Sequence, residues 1–221
     1  MSNRISKHIN YQSNQQLIKG IMGLIAPSYQ EADAHIAKDI ERCNELYVMN
    51  SKGGAMLAVF MVGYHPIHEM QCCYLGLSAC KEGHKNKGLV KQLYLAFAKD
   101  CLQKEREMNQ RILCYWTTAT PIAYHWFTKH FYDVQPDREG NCSKKAKAIL
   151  AMIATTQYPR ASFKTETPFV LRRAAKQVRY SEAEQQRITV AKNELELGVF
   201  DEYNLNEEHG DRFLMMGYVP V

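Results

Sequence analysis

Several features that mark whole classes of protein are missing from this chain of 221 residues. No apolar run approaches the roughly 20 residues a membrane-spanning helix needs. The start, MSNRISKHIN, has no apolar core of the kind a secretory leader carries, so a cytoplasmic protein is expected. No period repeats and no segment is of low complexity, which excludes solenoid and collagen-like architectures. Cysteine is present but odd in number, with seven residues scattered along the chain. Such thiols predict buried free cysteines in a reducing compartment and no disulfide framework. The net charge of +5 is mild. It suits an anionic small ligand and does not require nucleic acid, and no aromatic RNA-binding motif accompanies the basic run Arg172, Arg173, Lys176 and Arg179. That run reads as a solvated face or the rim of a phosphate site.

Two familiar phosphate loops are also missing. Gly83 and Gly88 have P-loop spacing, but Leu89 and Val90 stand where lysine and a hydroxyl residue must be. No lysine then reaches the terminal phosphates and no hydroxyl holds magnesium, so a nucleoside triphosphatase is excluded. A G-x-G-x-x-G turn is absent as well, which removes support for a dinucleotide site. His65 and His68 precede Cys72 and Cys73, but neighbours in a strand point to opposite faces and cannot share one ion. No metal is expected. Cys80 and Cys114 have no histidine partner in sequence and read as structural thiols.

What is present is a strand running into a basic loop and then a helix. Residues 72–80 (CCYLGLSAC) are followed by KEGHKNKGLV at 81–90. Gly88 ends the loop, and Leu89, Leu93, Ala96, Phe97 and Cys101 then form one helical stripe. Lys91, Gln92, Asp100, Gln103 and Lys104 are free to face water. A helix start has unpaired N–H groups and a partial positive charge, and glycine lets a ligand approach the backbone. With His84, Lys85 and Lys87 nearby, this is a phosphate-binding design.

The rest is a mixed α/β pattern. Residues 13–28 and 32–43 read as helices, and 45–50 as a strand. A Ser51–Gly54 turn leads into a buried strand over 55–64. A strand is expected at 111–118 and a helix at 122–130 opened by Pro121. Beyond a polar loop at 135–141, the pattern predicts a helix at 143–156, a short strand at 169–171 and a last strand at 212–219. A further helix starts with the capping pair Ser181 and Glu184 and ends near Leu197 and Gly198.

The segment Lys85-Asn86-Lys87-Gly88-Leu89-Val90 resembles the [QR]-x-x-G-x-[GA] pyrophosphate loop of the GNAT acyltransferases, a superfamily of N-acetyltransferases. Lysine replaces the first Gln/Arg and valine the last small residue. Ala123, Trp126, Phe127, Lys129 and Phe131 are similar to a second GNAT segment, A-x-x-[LF]-Y-x-K-x-G-F, with one residue missing before Phe131. The resemblance implies an α/β (α+β) GNAT fold, with a mixed central sheet flanked by helices, in one domain over 1–221. Its core would span about 1–135 plus the strand 212–219, with a helical insertion at about 140–200. It implies that the strands 72–80 and 111–118 splay apart around pantetheine. Leu77, Ser78, Ala79 and Cys80 would pair with the pantetheine amides, and Lys85, Asn86, Lys87, Gly88, Leu89 and Val90 would hold the pyrophosphate. Ala123 and Phe127 would line the coenzyme. The expected donor is acetyl-CoA and the acceptor a small amine or peptide amine. The family's usual tyrosine acid falls at Phe127, which has no proton to give. Tyr124 stands in for it, with Tyr132 as a second substitute. Glu69, at the start of the 70–80 strand, is the base candidate, with His65 and His68 as alternatives. Three other outcomes stay open: a GNAT-fold protein that binds acyl-CoA or a partner without turnover, a basic nucleic-acid-binding α/β module, and an insertion that serves to form a homodimer.

Overall fold

Residues 45–67 fold as the hairpin that the Ser51–Gly54 turn predicts. In the computed structural model, β2 (Glu45–Asn50) pairs antiparallel with β3 (Met56–Ile67), Tyr47 facing Phe60. The turn closes through Ser51 N–H to the Ala55 carbonyl at 2.8 Å and Gly54 N–H to the Ser51 carbonyl at 3.0 Å. Gly54 takes a φ of +81°, which a side chain would oppose. The structure describes all residues except 1–2, 31–32, 176–179, 196–198, 200–201 and 208. The chain packs as two compact units, Met1–His65 with Cys73–Ile112, and Pro66–Cys72 with Leu113–Val221.

The first unit carries strands in the order β1-β2-β3-β4, with β1 at Arg4–Ile9 and β4 at Met70–Cys80. Its helices are α1 (Gln15–Ile25), α2 (Asp33–Arg42) and α3 (Leu89–Met108). Alternation along β3 assigns the two faces. Phe60 and Tyr64 meet Phe97 of α3, with ring centroids 5.5 and 6.5 Å apart. Met61 points the other way and accepts the Tyr11 hydroxyl at 3.1 Å. Gly63 lies on that same face because a Cβ there would strike the Arg42 carbonyl at the end of α2. Gly76 of β4 does the same service beside the Cys43 sulfur, and Tyr74 donates to Asp39 of α2 at 2.7 Å. Two glycines thus let the end of α2 lie directly on the sheet.

The predicted α3 stripe is observed: Leu89, Leu93, Phe97 and Cys101 are buried, together with Tyr94 and Glu105. Two residues free to face water are half-exposed and also paired. Asp100 accepts from Lys7 and from the Tyr47 hydroxyl, each at 2.9 Å. Lys104 contacts the buried Glu45 at 2.6 Å and lies 3.5 Å from the centre of the Tyr64 ring. Glu45 also takes Lys7 at 3.1 Å. These paired charges join β1, β2 and α3, and β1 itself was not expected from the sequence.

The second unit holds β5 (Leu113–Thr118), α4 (Pro121–His130), β6 (Tyr132–Gln135), α5 (Lys144–Gln157), β7 (Ser162–Lys164), β8 (Thr167–Arg172), α6 (Glu182–Leu195) and β9 (Arg212–Tyr218). The strand order is β5-β9-β8-β7, with β6 also on β9. The segment 140–200 is therefore not purely helical: it contributes a hairpin, and β8 pairs with β9 through Val170 and Phe213. α5 packs on β8 and β9, and α4 packs against α6. Ser143 caps α5, accepting the Ala146 N–H at 3.1 Å. The carboxylate of Glu184, the expected capping partner of Ser181, meets Arg187 at 2.9 Å. The predicted end of that helix, Leu197 and Gly198, lies outside the described residues. Arg172, in the basic run, is half-exposed but paired. It binds Asp211 at 2.6 Å and the Tyr203 carbonyl at 2.7 Å, fastening the approach to β9 onto β8. Lys176 and Arg179 lie outside the described residues. The element order expected from the GNAT resemblance, helix, helix, three strands, helix, strand, helix, is observed, preceded by β1.

Candidate functional site

The candidate site is built where β4 ends. Residues 72–76 of β4 are buried, and Leu77, Ser78, Ala79 and Cys80 are half-exposed, so the strand surfaces just before the loop. Lys81 N–H donates to the Leu57 carbonyl of β3 at 2.8 Å and anchors the loop's first residue. A turn follows, His84 N–H to the Lys81 carbonyl at 3.0 Å, with Gly83 at a φ of +77°. A second turn brings Lys87 N–H to the His84 carbonyl at 3.4 Å, with Asn86 at +64° and Gly88 at +71°. Left-handed residues inside turns are the backbone type that gathers successive N–H groups into anion-binding concavities.

Helix α3 then starts without protection. Gly88 is its N-cap, is left-handed, and supplies no side-chain hydrogen bond. A Cβ built on Gly83 or Gly88 meets nothing within 4 Å, so the space over the loop is open. No acidic residue lies in the first turn. The first N–H groups of a 20-residue helix are therefore left for an outside acceptor, with the positive end of the helix dipole behind them. The loop that precedes them carries Lys81 and Lys87, both exposed, and Lys85, half-exposed. Lys85 pairs with Glu82 at 2.9 Å. The Nδ1 atom of His84 is buried with no hydrogen-bond partner among the described residues. Val90 is half-buried and Leu89 buried. The structure thus brings residues 77–90 into one continuous feature in the first unit.

The other sequence candidates, His65 apart, belong to the second unit. Glu69 and His68 form the exposed turn between β3 and β4, with His68 at a φ of +52°. His65 falls at the end of the first unit, half-exposed; burial, then the nearby Arg42, lower its pKa. Ala123 is half-exposed on α4, and Phe127 is fully buried, stacked on Phe131 with centroids 4.2 Å apart. Tyr132 is exposed at the start of β6. Tyr124 is fully buried, edge-on to Phe213. Its hydroxyl donates to the carbonyls of Pro136, at 3.2 Å, and Asp137. Burial, then the charges of Asp137 and Glu139, push its pKa well above the ordinary phenol value. A phenol so placed holds its proton for the backbone.

None of the cysteines is in a disulfide, and Cys43, Cys72, Cys73, Cys101 and Cys114 are buried; Cys142 is half-exposed, and so is Cys80, which was expected to be buried, because β4 surfaces at its end. Burial raises Cys72 to about 11, the wrong direction for a nucleophile. Among the described residues no group of three or more His, Cys, Asp or Glu could hold a metal ion, and no helix is long and apolar enough to cross a membrane. Glu82 is the site residue that sequence reasoning missed. Its signal was available: one acidic residue in a lysine-rich loop, three positions before Lys85.

No protein-family model and no curated protein matches this chain. Solved structures do. One is a conserved protein of Enterococcus faecalis, 12% identical, TM-score 0.41, over 59% of this chain and 33% of that one. The chain thus spans only about a third of that protein. A second is the GNAT-family N-acetyltransferase YhbS of Escherichia coli in complex with CoA, 17% identical, TM-score 0.42, over 57% of this chain and 67% of that one. A third is the catalytic domain of a Tetrahymena histone acetyltransferase in complex with coenzyme A, 13% identical, TM-score 0.44, over 58% of this chain and 75% of that one. At such identities and TM-scores the likeness assigns no residue and no substrate to this chain.

Proposed function

We propose that the chain is an acyl-CoA-dependent N-acyltransferase of the GNAT type, acting on a small amine or peptide amine with acetyl-CoA as donor. The observation that carries this is the uncapped, glycine-started N-terminus of α3 beneath a lysine-rich loop. Within residues 86–90, the N–H groups at the start of α3 receive the pyrophosphate, and Lys85 and Lys87 add mobile charge. Backbone donors do most of this work, which is why Lys85 serves without the bidentate fork of an arginine. The half-exposed end of β4, Leu77 to Cys80, offers backbone groups to the pantetheine amides.

The transfer is direct. An amine nitrogen attacks the thioester carbonyl, the C–N bond forms, the C–S bond breaks, and the nitrogen's proton leaves as the CoA thiol forms. Glu69 is the base we assign, on its exposed turn. Tyr124 is not needed as the acid, since its proton is committed to backbone carbonyls. Orientation of a reactive thioester supplies rate without it. Phe127 at the usual tyrosine position, with Tyr124 so engaged, favours a second reading, a coenzyme A binder without turnover.

Calorimetric titration of acetyl-CoA into the pure protein tests the site. Micromolar binding that is lost in Gly88→Asp supports it, and no binding by the wild type sinks it. Release of free CoA thiol with a panel of primary amines then separates enzyme from binder. Thiol release that falls in Glu69→Gln supports catalysis, and tight binding without release on any amine supports the binder.

A further inference from the structure

We infer that Glu82 is an internal competitor for Lys85 and sets how tightly the loop holds its coenzyme; this rests on the acyl-CoA reading above. The loop 81–91 carries Lys81, Lys85, Lys87 and Lys91 and one carboxylate, Glu82. That carboxylate is 81% exposed, yet its Oε2 lies 2.9 Å from the Lys85 Nζ, which is only 24% exposed. The lysine is held close to the protein and the acid comes to it from the solvent side. Gly83 at a φ of +77° and the turn from Lys81 to His84 give the chain the reversal that lets residue 82 reach residue 85. Lys85 therefore has an oxyanion partner before any ligand arrives.

A pyrophosphate arriving at the α3 start competes for the same ammonium group. Lys85 must exchange a carboxylate for a phosphate oxygen, and Glu82 is left as a negative charge beside a polyanion. Each effect lowers affinity, and the second also speeds departure. In a transferase that must release CoA after each turnover, an acid in this position favours exchange of product for substrate. Exposed ion pairs contribute modestly, so the expected change on removing Glu82 is about two- to five-fold in Kd.

The test is a double-mutant cycle on the full chain, with CoA as titrant: wild type, Glu82→Gln, Lys85→Gln and the double variant, with dissociation rates by stopped flow. We expect Glu82→Gln to bind CoA about two- to five-fold more tightly, mainly through slower dissociation, with most of that gain absent when Lys85 is already glutamine. The cycle separates action through Lys85 from general repulsion, which would persist in the Lys85→Gln background and overturn the proposal. Unchanged or weaker binding by Glu82→Gln would also overturn it, by making the pair a preorganising one. Failure of the wild type to bind CoA would instead remove the acyl-CoA reading itself. Melting curves of the four proteins check that each is folded.

Discussion

The third and fourth helices both follow a β-strand closely, and they begin in opposite ways. α4 is closed by its own sequence: Thr120 accepts the Ala123 N–H at 3.4 Å, and Pro121 at the first position has no N–H to satisfy. α1 and α5 follow the same rule, with Asn14 accepting from Leu17 and Ser143 from Ala146, both at 3.1 Å. α3 starts on a left-handed glycine with no side-chain cap and no acid in its first turn. Glycine in place of a capping side chain costs about a few tenths of a kcal/mol of helix stability. The chain meets that cost at the helix that follows a lysine-rich loop. A helix start closed from within is structural and indifferent to anions; one left open gains its missing partners only when an anion binds.

Four variants break or sharpen this contrast. The largest effect is expected from Gly88→Asp, which puts a fixed carboxylate at the open start. CoA binding should weaken at least ~100-fold, about 2.7 kcal/mol, in a protein that calorimetry shows to be folded. Next comes Tyr124→Phe on the closed helix. It removes a buried hydroxyl from the Pro136 and Asp137 carbonyls and should cost about 1–2 kcal/mol in denaturant unfolding, with CoA affinity unchanged. The raised phenol pKa adds a pH signature. Stability tied to the neutral phenol is complete below the unfolded pKa of about 10 and is lost as pH rises from there toward the folded value. The phenylalanine variant should lack that alkaline loss, and equal alkaline loss in both proteins would place the phenol elsewhere than in the core. Lys87→Gln should weaken CoA by about three- to ten-fold and flatten the salt dependence of binding, as expected for an exposed cation on a phosphate. Thr120→Ala should be smallest, about 1 kcal/mol of stability with no change in CoA affinity. An affinity change there would mean that the start of α4 also touches the ligand.

Much of this contrast was legible in the sequence. Gly88 as the last loop residue, the stripe from Leu89 to Cys101, Pro121 opening α4 and Ser143 preceding α5 are local signals, and the structure has each where the signal lies. What was not legible depends on distant partners. Arg4–Ile9 reads as a polar lead because Lys7 breaks its apolar alternation; it is a strand because Glu45 and Asp100, far along the chain, accept that lysine. β6 and β7 are 4 and 3 residues long, too short to carry a period. Asp100 and Lys104 look solvated on a helical wheel and are drawn onto β1 and β2 instead. Tyr124 shows an available phenol in sequence, but the carbonyls that take its proton lie 12 and 13 residues on. Local capping and periodicity are readable in a single chain, and tertiary pairing of polar groups is not.

The central claim is that backbone N–H groups at the start of α3 receive the coenzyme's phosphates. Amide proton and nitrogen shifts of the labelled protein, followed by NMR during a CoA titration, test it most directly. We predict the largest shifts, with downfield movement of the amide protons, at Gly88, Leu89, Val90 and Lys91. Amides at the start of α4 should move little. CoA that binds while the amides of residues 88–91 stay still would contradict the account.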